Sequence, residues 1–191
     1  MRHPNHPATR TLARPATLLL ATALLTGGLT GCDALASLDV CGGTADRVKA
    51  MRSDPVLQAA PEGAITPKGL GEVEAGCSED SGAGWLYAER VFAHPGSREK
   101  VLDFYRTAAD KDGWLLRRGA EQGHGTGRAE EGLCFTRGKD GDTFTLSVHF
   151  TDARQLKENY DYVAGPEFDS GAGFEISINS ELNGADSGCF D

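Results

Sequence analysis

The stretch Trp85-Leu-Tyr-Ala-Glu-Arg-Val-Phe92, followed by His94-Pro-Gly-Ser97 and then Arg98 to Gly113, decides the fold class. In the first segment Leu86, Ala88 and Phe92 alternate with Tyr87, Glu89 and Val91, which is the period-two pattern of a strand. Pro95 and Gly96 turn the chain, and Ser97 is placed to cap a helix. Val101, Leu102, Phe104, Tyr105, Ala108 and Ala109 then recur at helical spacing up to Asp112-Gly113. Trp114-Leu-Leu-Arg-Arg118 follows at once, so strand, helix and strand occupy 34 residues.

Downstream, Leu133-Cys-Phe-Thr-Arg137 and Thr143-Phe-Thr-Leu-Ser-Val-His-Phe150 flank the turn Gly138-Lys-Asp-Gly-Asp142. Phe144, Leu146, Val148 and Phe150 share one face and Thr143, Thr145, Ser147 and His149 the other, which predicts an antiparallel hairpin with one solvated face. A short helix is expected over 153–160, with Ala153, Leu156 and Tyr160 on one side, and a last strand over 174–180. Tyr160, Tyr162 and Phe168 stand in a polar stretch; aromatic side chains there suit partner contact, and packing over the sheet is the other reading. Upstream, Thr44 and Asp54-Pro55 open two brief helices, and 61–83, rich in Gly and Pro, reads as a long loop. The expected fold is α+β: an antiparallel-dominated sheet of about five strands with one main helix over 97–112, in the order β-α-β-β-β after short N-terminal helices.

Residues 1–31 contain Arg2, Arg10 and Arg14, no acidic residue, and the apolar run from Ala16 to Thr26. This is the layout of a secretory signal peptide, and the run is shorter than the ~20 residues of a spanning helix. It ends in Leu29-Thr30-Gly31-Cys32, which resembles the lipobox of bacterial lipoproteins. The resemblance implies a leader over 1–31, cleavage before Cys32 and a thioether-linked diacylglycerol on that cysteine. It also implies a place on the extracytoplasmic face of the cell membrane, held by lipid through a tether over 32–43. Two or more acyl chains give lasting attachment, where one is reversible. A single domain is then expected over 44–191. Abundant Ala and Gly, with 13 Arg to 6 Lys, resemble the composition of actinobacterial proteins. Asp54-Pro55-Val-Leu, Pro61-Glu-Gly-Ala64, and Val101-Leu-Asp-Phe-Tyr105 with Gly113-Trp114 resemble small α+β domains of bacterial lipoproteins, a likeness that brings no catalytic residue with it.

Removing the leader's three arginines from the chain's 19 Lys and Arg leaves 16 against 28 Asp and Glu, which moves the net charge from −9 to −12. Such a domain is a poor partner for nucleic acid or anionic headgroups. With Cys32 assigned to lipid, Cys41, Cys77, Cys134 and Cys189 remain, an even number that reads as two disulfides in an exported chain. Three connectivities are possible; the expected one is Cys41–Cys77 with Cys134–Cys189.

Candidate chemistry is sparse. Asp80-Ser-Gly-Ala-Gly-Trp85 recurs as Asp169-Ser-Gly-Ala-Gly-Phe174, but neither Ser81 nor Ser170 stands in G-x-S-x-G, and turns into strands explain both copies. The loop Gly119-Ala-Glu-Gln-Gly-His-Gly-Thr-Gly-Arg128 lacks the helix start that a phosphate cradle needs. His94, His124 and His149 show no i, i+2 or i, i+4 spacing, and the acids at 110–112 and 140–142 lack the ligand set of a calcium loop. No catalytic residue, metal or cofactor is therefore expected. A non-catalytic binding module of the envelope follows, with membrane lipid and an envelope protein as partners. The alternatives are a hydrolase using a carboxylate or histidine, and a small-ligand or metal-binding lipoprotein. Convergence of His94, His124, His149, Asp80 or Asp169 in one pocket would favour the hydrolase.

Overall fold

A computed structural model of the chain describes residues 40–80, 83–117, 132–139 and 141–188. The expectations placed on the leader and Cys32, on Ser81, on the loop 119–128 with His124, on Asp140 and on Cys189 lie outside these residues. The compact unit begins at Val40. Among the described residues no helix is long and apolar enough to cross a membrane.

The fold is α+β, as the alternating segments require. Among the described residues four helices, α1 (Ala45–Arg52), α2 (Pro55–Gln58), α3 (Arg98–Lys111) and α4 (Ala153–Tyr160), accompany six strands. The strands are β1 (Glu74–Asp80), β2 (Ala83–Phe92), β3 (Leu115–Leu116), β4 (Leu133–Lys139), β5 (Asp142–Phe150) and β6 (Phe174–Glu181). They form one sheet in the order β1-β2-β6-β5-β4-β3 with every pairing antiparallel. The last strand thus enters the middle of the sheet. It places Ile178 opposite Ala88 on one side and opposite Leu146 on the other.

One strand lies where a loop is expected. β1 falls within 61–83, and its sequence Glu-Ala-Gly-Cys-Ser-Glu-Asp has no β-branched or aromatic residue to announce it. Pairing with β2 from Glu74–Glu89 to Asp80–Ala83 holds it instead, and Ala75 and Cys77 pack on the core. The Cys41–Cys77 disulfide, with Cα atoms 5.8 Å apart, ties this strand to the residues before α1. Cys134 is disulfide-bonded as well, while the expected partner Cys189 falls outside the described residues. The strand expected over 114–118 shortens to two residues, because Trp114 turns inward and is almost wholly buried.

Helices α1, α2 and α3 lie on one face. Val101, Leu102, Tyr105 and Ala109 of α3 and Val56 and Leu57 of α2 pack on Leu86, Phe92, Phe135, Leu146, Val148, Phe174, Ile176 and Ile178. Tyr105 stacks edge-on to Phe174 and donates its hydroxyl to Ala59 O at 2.8 Å, so its polar tip is satisfied inside the core. At one corner Asp54 caps α2 by accepting from Val56 N–H at 3.1 Å and pairs through its other oxygen with Arg137 of β4. Arg137 lies 4.1 Å from the Trp114 ring centre and donates to Asp112 O, so one guanidinium joins α2, the end of α3 and β4.

Replacing Asp54 by Ala removes a cap and the carboxylate facing Arg137. It should lower stability by about 2–4 kcal/mol in urea unfolding, while Asp54→Asn, which keeps a capping oxygen, should lose about half of that. Equal losses in the two variants would contradict a role for the ion pair.

Candidate functional site

Strand alternation sends a second set of side chains to the face opposite α3: Trp85, Tyr87 and Glu89 of β2, Glu175, Ser177 and Asn179 of β6, and Thr145, Ser147 and His149 of β5. The sequence predicts a solvated face here, and the structure corrects this: Thr145, Ser147, Glu175 and Ser177 are buried. The cause differs at the two ends. At one, the chain after β6 folds back so that Thr145 donates to Asp186 at 3.2 Å and accepts from Ser187 at 3.1 Å. At the other, α4 and the 3-10 turn Pro166–Phe168 lie over the sheet, and Leu156 and Phe168 pack on Val91 and Ala93. The polar stretch with Tyr160, Tyr162 and Phe168 therefore covers the sheet. Asp152 and Gln155 begin α4 with a capping box, each side chain accepting from the other's backbone N–H.

Between these covers lies a groove. One cavity of about 730 Å³ is lined by Trp85, Tyr87, Glu89, Tyr160 and Asn179 with Glu74, Glu158 and Asp161. A second, of about 580 Å³, shares Glu74, Glu89 and Tyr160 with it and runs under the segment 66–73. Among the described residues the first lining holds four acids and neither Lys nor Arg, while Lys68 and Arg90 border the second.

The floor of the groove is a chain of polar contacts from three strands and a helix. The Tyr160 hydroxyl lies 3.0 Å from Glu89 Oε1 and 2.6 Å from Glu175 Oε2. Glu175 Oε2 is also 3.4 Å from His149 Nε2, and His149 stands opposite Glu175 in the register of β5 and β6. Burial and the charges of Glu175 and Glu74 push the Glu89 carboxyl up to about 7, against the Tyr160 hydroxyl and the charge of His149, which lower it. Burial would raise Glu175 too, but the hydrogen bond and charge of His149 and the Tyr160 hydroxyl outweigh it and hold that carboxyl below its ordinary value. Burial and the two carboxylates raise the Tyr160 hydroxyl, so it stays protonated as a donor.

The residues singled out in the sequence do not assemble into a catalytic set among the described residues. His94 is buried at another corner, where Nδ1 accepts from Gly96 N–H at 3.0 Å and Nε2 faces Glu62 O at 3.3 Å, so local backbone uses both ring nitrogens. Ser170 donates its hydroxyl to His94 O at 2.5 Å and accepts from Ala172 N–H, the hydrogen bonding of a turn. The cavity beside His94 is lined by Pro61, Glu62, Pro95, Gly96, Lys100 and Phe104, with neither Asp80, Asp169 nor His149. Asp112 ends α3 and Asp142 opens β5, so the acidic spacings serve a helix terminus and a hairpin. No metal-binding group of three or more His, Cys, Asp or Glu occurs among the described residues.

Comparison with known protein families, with curated proteins and with solved structures finds no match to this chain.

Proposed function

We propose that the protein is a lipid-anchored binding module on the extracytoplasmic face of the cell membrane, and that its groove takes a small organic cation. The anchor rests on Leu29-Thr30-Gly31-Cys32 and the leader before it, and an exported location accords with the Cys41–Cys77 disulfide. The observation that carries the binding role is the larger cavity, where three aromatic rings (Trp85, Tyr87 and Tyr160) stand beside Glu74, Glu89, Glu158 and Asp161. Aromatic faces attract ammonium groups by about 0.5–2 kcal/mol each, and carboxylates supply the opposite charge. An anion would meet the carboxylates of Glu74, Glu158 and Asp161 there.

A hydrolase reading fits less well. A neutral carboxyl beside an ionised one is the pairing used by glycoside hydrolases. Here, however, Glu175 lines neither cavity of the groove, is 7% exposed, and has the Tyr160 hydroxyl between it and Glu89. A sugar has no room to sit between the two carboxyls.

Two experiments test the proposal. Cys32→Ala should move the protein from the membrane fraction to the soluble one and remove the lipid mass; unchanged fractionation and mass would contradict the anchor. In the intact domain at low salt, 1,5-diaminopentane should shift the Trp85 indole N–H resonance, and 1,5-pentanediol should not. Trp85→Ala should weaken the diamine about tenfold. Equal response to diamine and diol, or no response at Trp85, would contradict a cation site.

A further inference from the structure

The floor of the groove contains a proton count that the hydrogen-bond geometry alone exposes. Tyr160 brings one hydroxyl proton to two carboxyl oxygens, at 3.0 Å on Glu89 and 2.6 Å on Glu175. A phenol donates once, so both contacts are hydrogen bonds only if one carboxyl is itself protonated and donates to the phenol oxygen. The distances say which. The contact to Glu175 has the length of a hydroxyl donating to an ionised carboxylate. Glu175 also faces His149 Nε2, which donates to a carboxylate but could not serve a second acid proton on the same oxygen. The proton therefore sits on Glu89, and the chain runs from the Glu89 hydroxyl to Tyr160 Oη, from Tyr160 to Glu175, and from His149 to Glu175.

Tyr160 is also the last residue of α4, and Asp161 after it turns into the left-handed region at φ 51°. Leu156, one turn earlier, is fully buried and fixes the body of the helix. The end of α4 is held to β2 and β6 through the Tyr160 hydroxyl, and that same end forms one wall of the groove.

We propose that Glu89, Tyr160 and Glu175 form a proton-operated clasp, which holds the end of α4 to both β2 and β6 while Glu89 is protonated and leaves it held to β6 alone, through Glu175, when Glu89 ionises. On ionisation the phenol oxygen faces two carboxylates with one proton to offer, and the Glu89 contact becomes a repulsion between lone pairs. The surroundings reinforce this. Glu74 of β1 stands directly across from Glu89, Tyr87 and Arg90 neighbour it on β2, and Glu175 and His149 lie across β6 and β5. Glu158 and Asp161 approach from α4, and Lys68 and Glu72 from the segment 66–73. Acids outnumber bases around Glu89, so a second buried negative charge finds little compensation. The sign follows from the raised Glu89 carboxyl. The Glu89 link of the clasp is at full strength below the ordinary carboxyl value of 4.5, weakens as the pH rises towards about 7, and is lost above it. The groove is then less negative when acidic and more negative when alkaline. This deepens the cation-site reading, yet the clasp exists without any ligand and is tested without one.

The test is amide hydrogen exchange of the ligand-free domain at pH 5 and pH 8, with rates corrected for intrinsic exchange. In the wild type, protection of residues 156–162 should fall at least about tenfold between the two, while that of the β5–β6 pairs stays unchanged. Glu89→Gln, whose amide can donate to Tyr160 at any pH, should keep the pH 5 protection at pH 8. Tyr160→Phe should show the low value at both. Equal protection of 156–162 at the two pH values in the wild type would overturn the clasp. So would a Glu89→Gln variant that loses protection as the wild type does. A clasp that behaves as stated alongside a domain that ignores diamines would reject the cation site alone.

Discussion

Glu175 is the second residue of β6, 7% exposed, on a strand that enters between β2 and β5 only after every other strand has been laid down. Its neighbours Phe174 and Ile176 point into the helical core, so period-two geometry leaves Glu175 no choice but the opposite face. A buried carboxylate without partners would cost several kcal/mol. The rest of the second face can be understood as the answer to that cost. His149 comes from the facing position of β5, Tyr160 from the helix that connects β5 to β6, and Glu89 from β2 completes the chain by holding a proton. The segment that delivers β6 to the middle of the sheet is thus the segment that compensates its charge.

The helical face has little freedom to take part in function. Asp54, Arg137 and Trp114 join α2, α3 and β4 at one corner, and Tyr105 closes the core with its hydroxyl on Ala59. Arg47 of α1 donates to Leu182 O and to the Ser180 hydroxyl, which docks the first helix on the end of β6, and the Cys41–Cys77 bridge fixes the same helix to the edge strand. These contacts make one side of the sheet a rigid support. The other side is covered by a helix of two turns and by short irregular segments, the arrangement in which binding sites are commonly found on a rigid frame.

Much of the frame was legible in the sequence. The stripe from Val101 to Ala109 is a helix because its apolar residues recur at 3.6, and Ala153, Leu156 and Tyr160 on one side mark α4 in the same way. β1 was not legible. Its strand state comes from pairing and a disulfide, and its composition reads as a loop. The groove was not legible either, because Glu89, His149, Tyr160 and Glu175 are ordinary polar positions in four separate segments. Only the placement of β6 beside both β2 and β5 brings them together. The one local trace is Phe174-Glu-Ile-Ser-Ile, where a carboxylate takes the first polar position of an alternating strand.

A domain held by lipid outside the cytoplasm, as we propose, meets whatever pH its surroundings impose, and a carboxyl held near neutrality makes the second face sensitive to it in the range where ordinary acids are silent. All of this depends on which carboxyl holds the proton. Carbon-13 titration of the glutamate side chains in the intact domain reads that directly. The account predicts a Glu89 midpoint of about 7, with Glu175 titrating below the ordinary carboxyl range. A Glu89 midpoint at the ordinary value of 4.5 would contradict it.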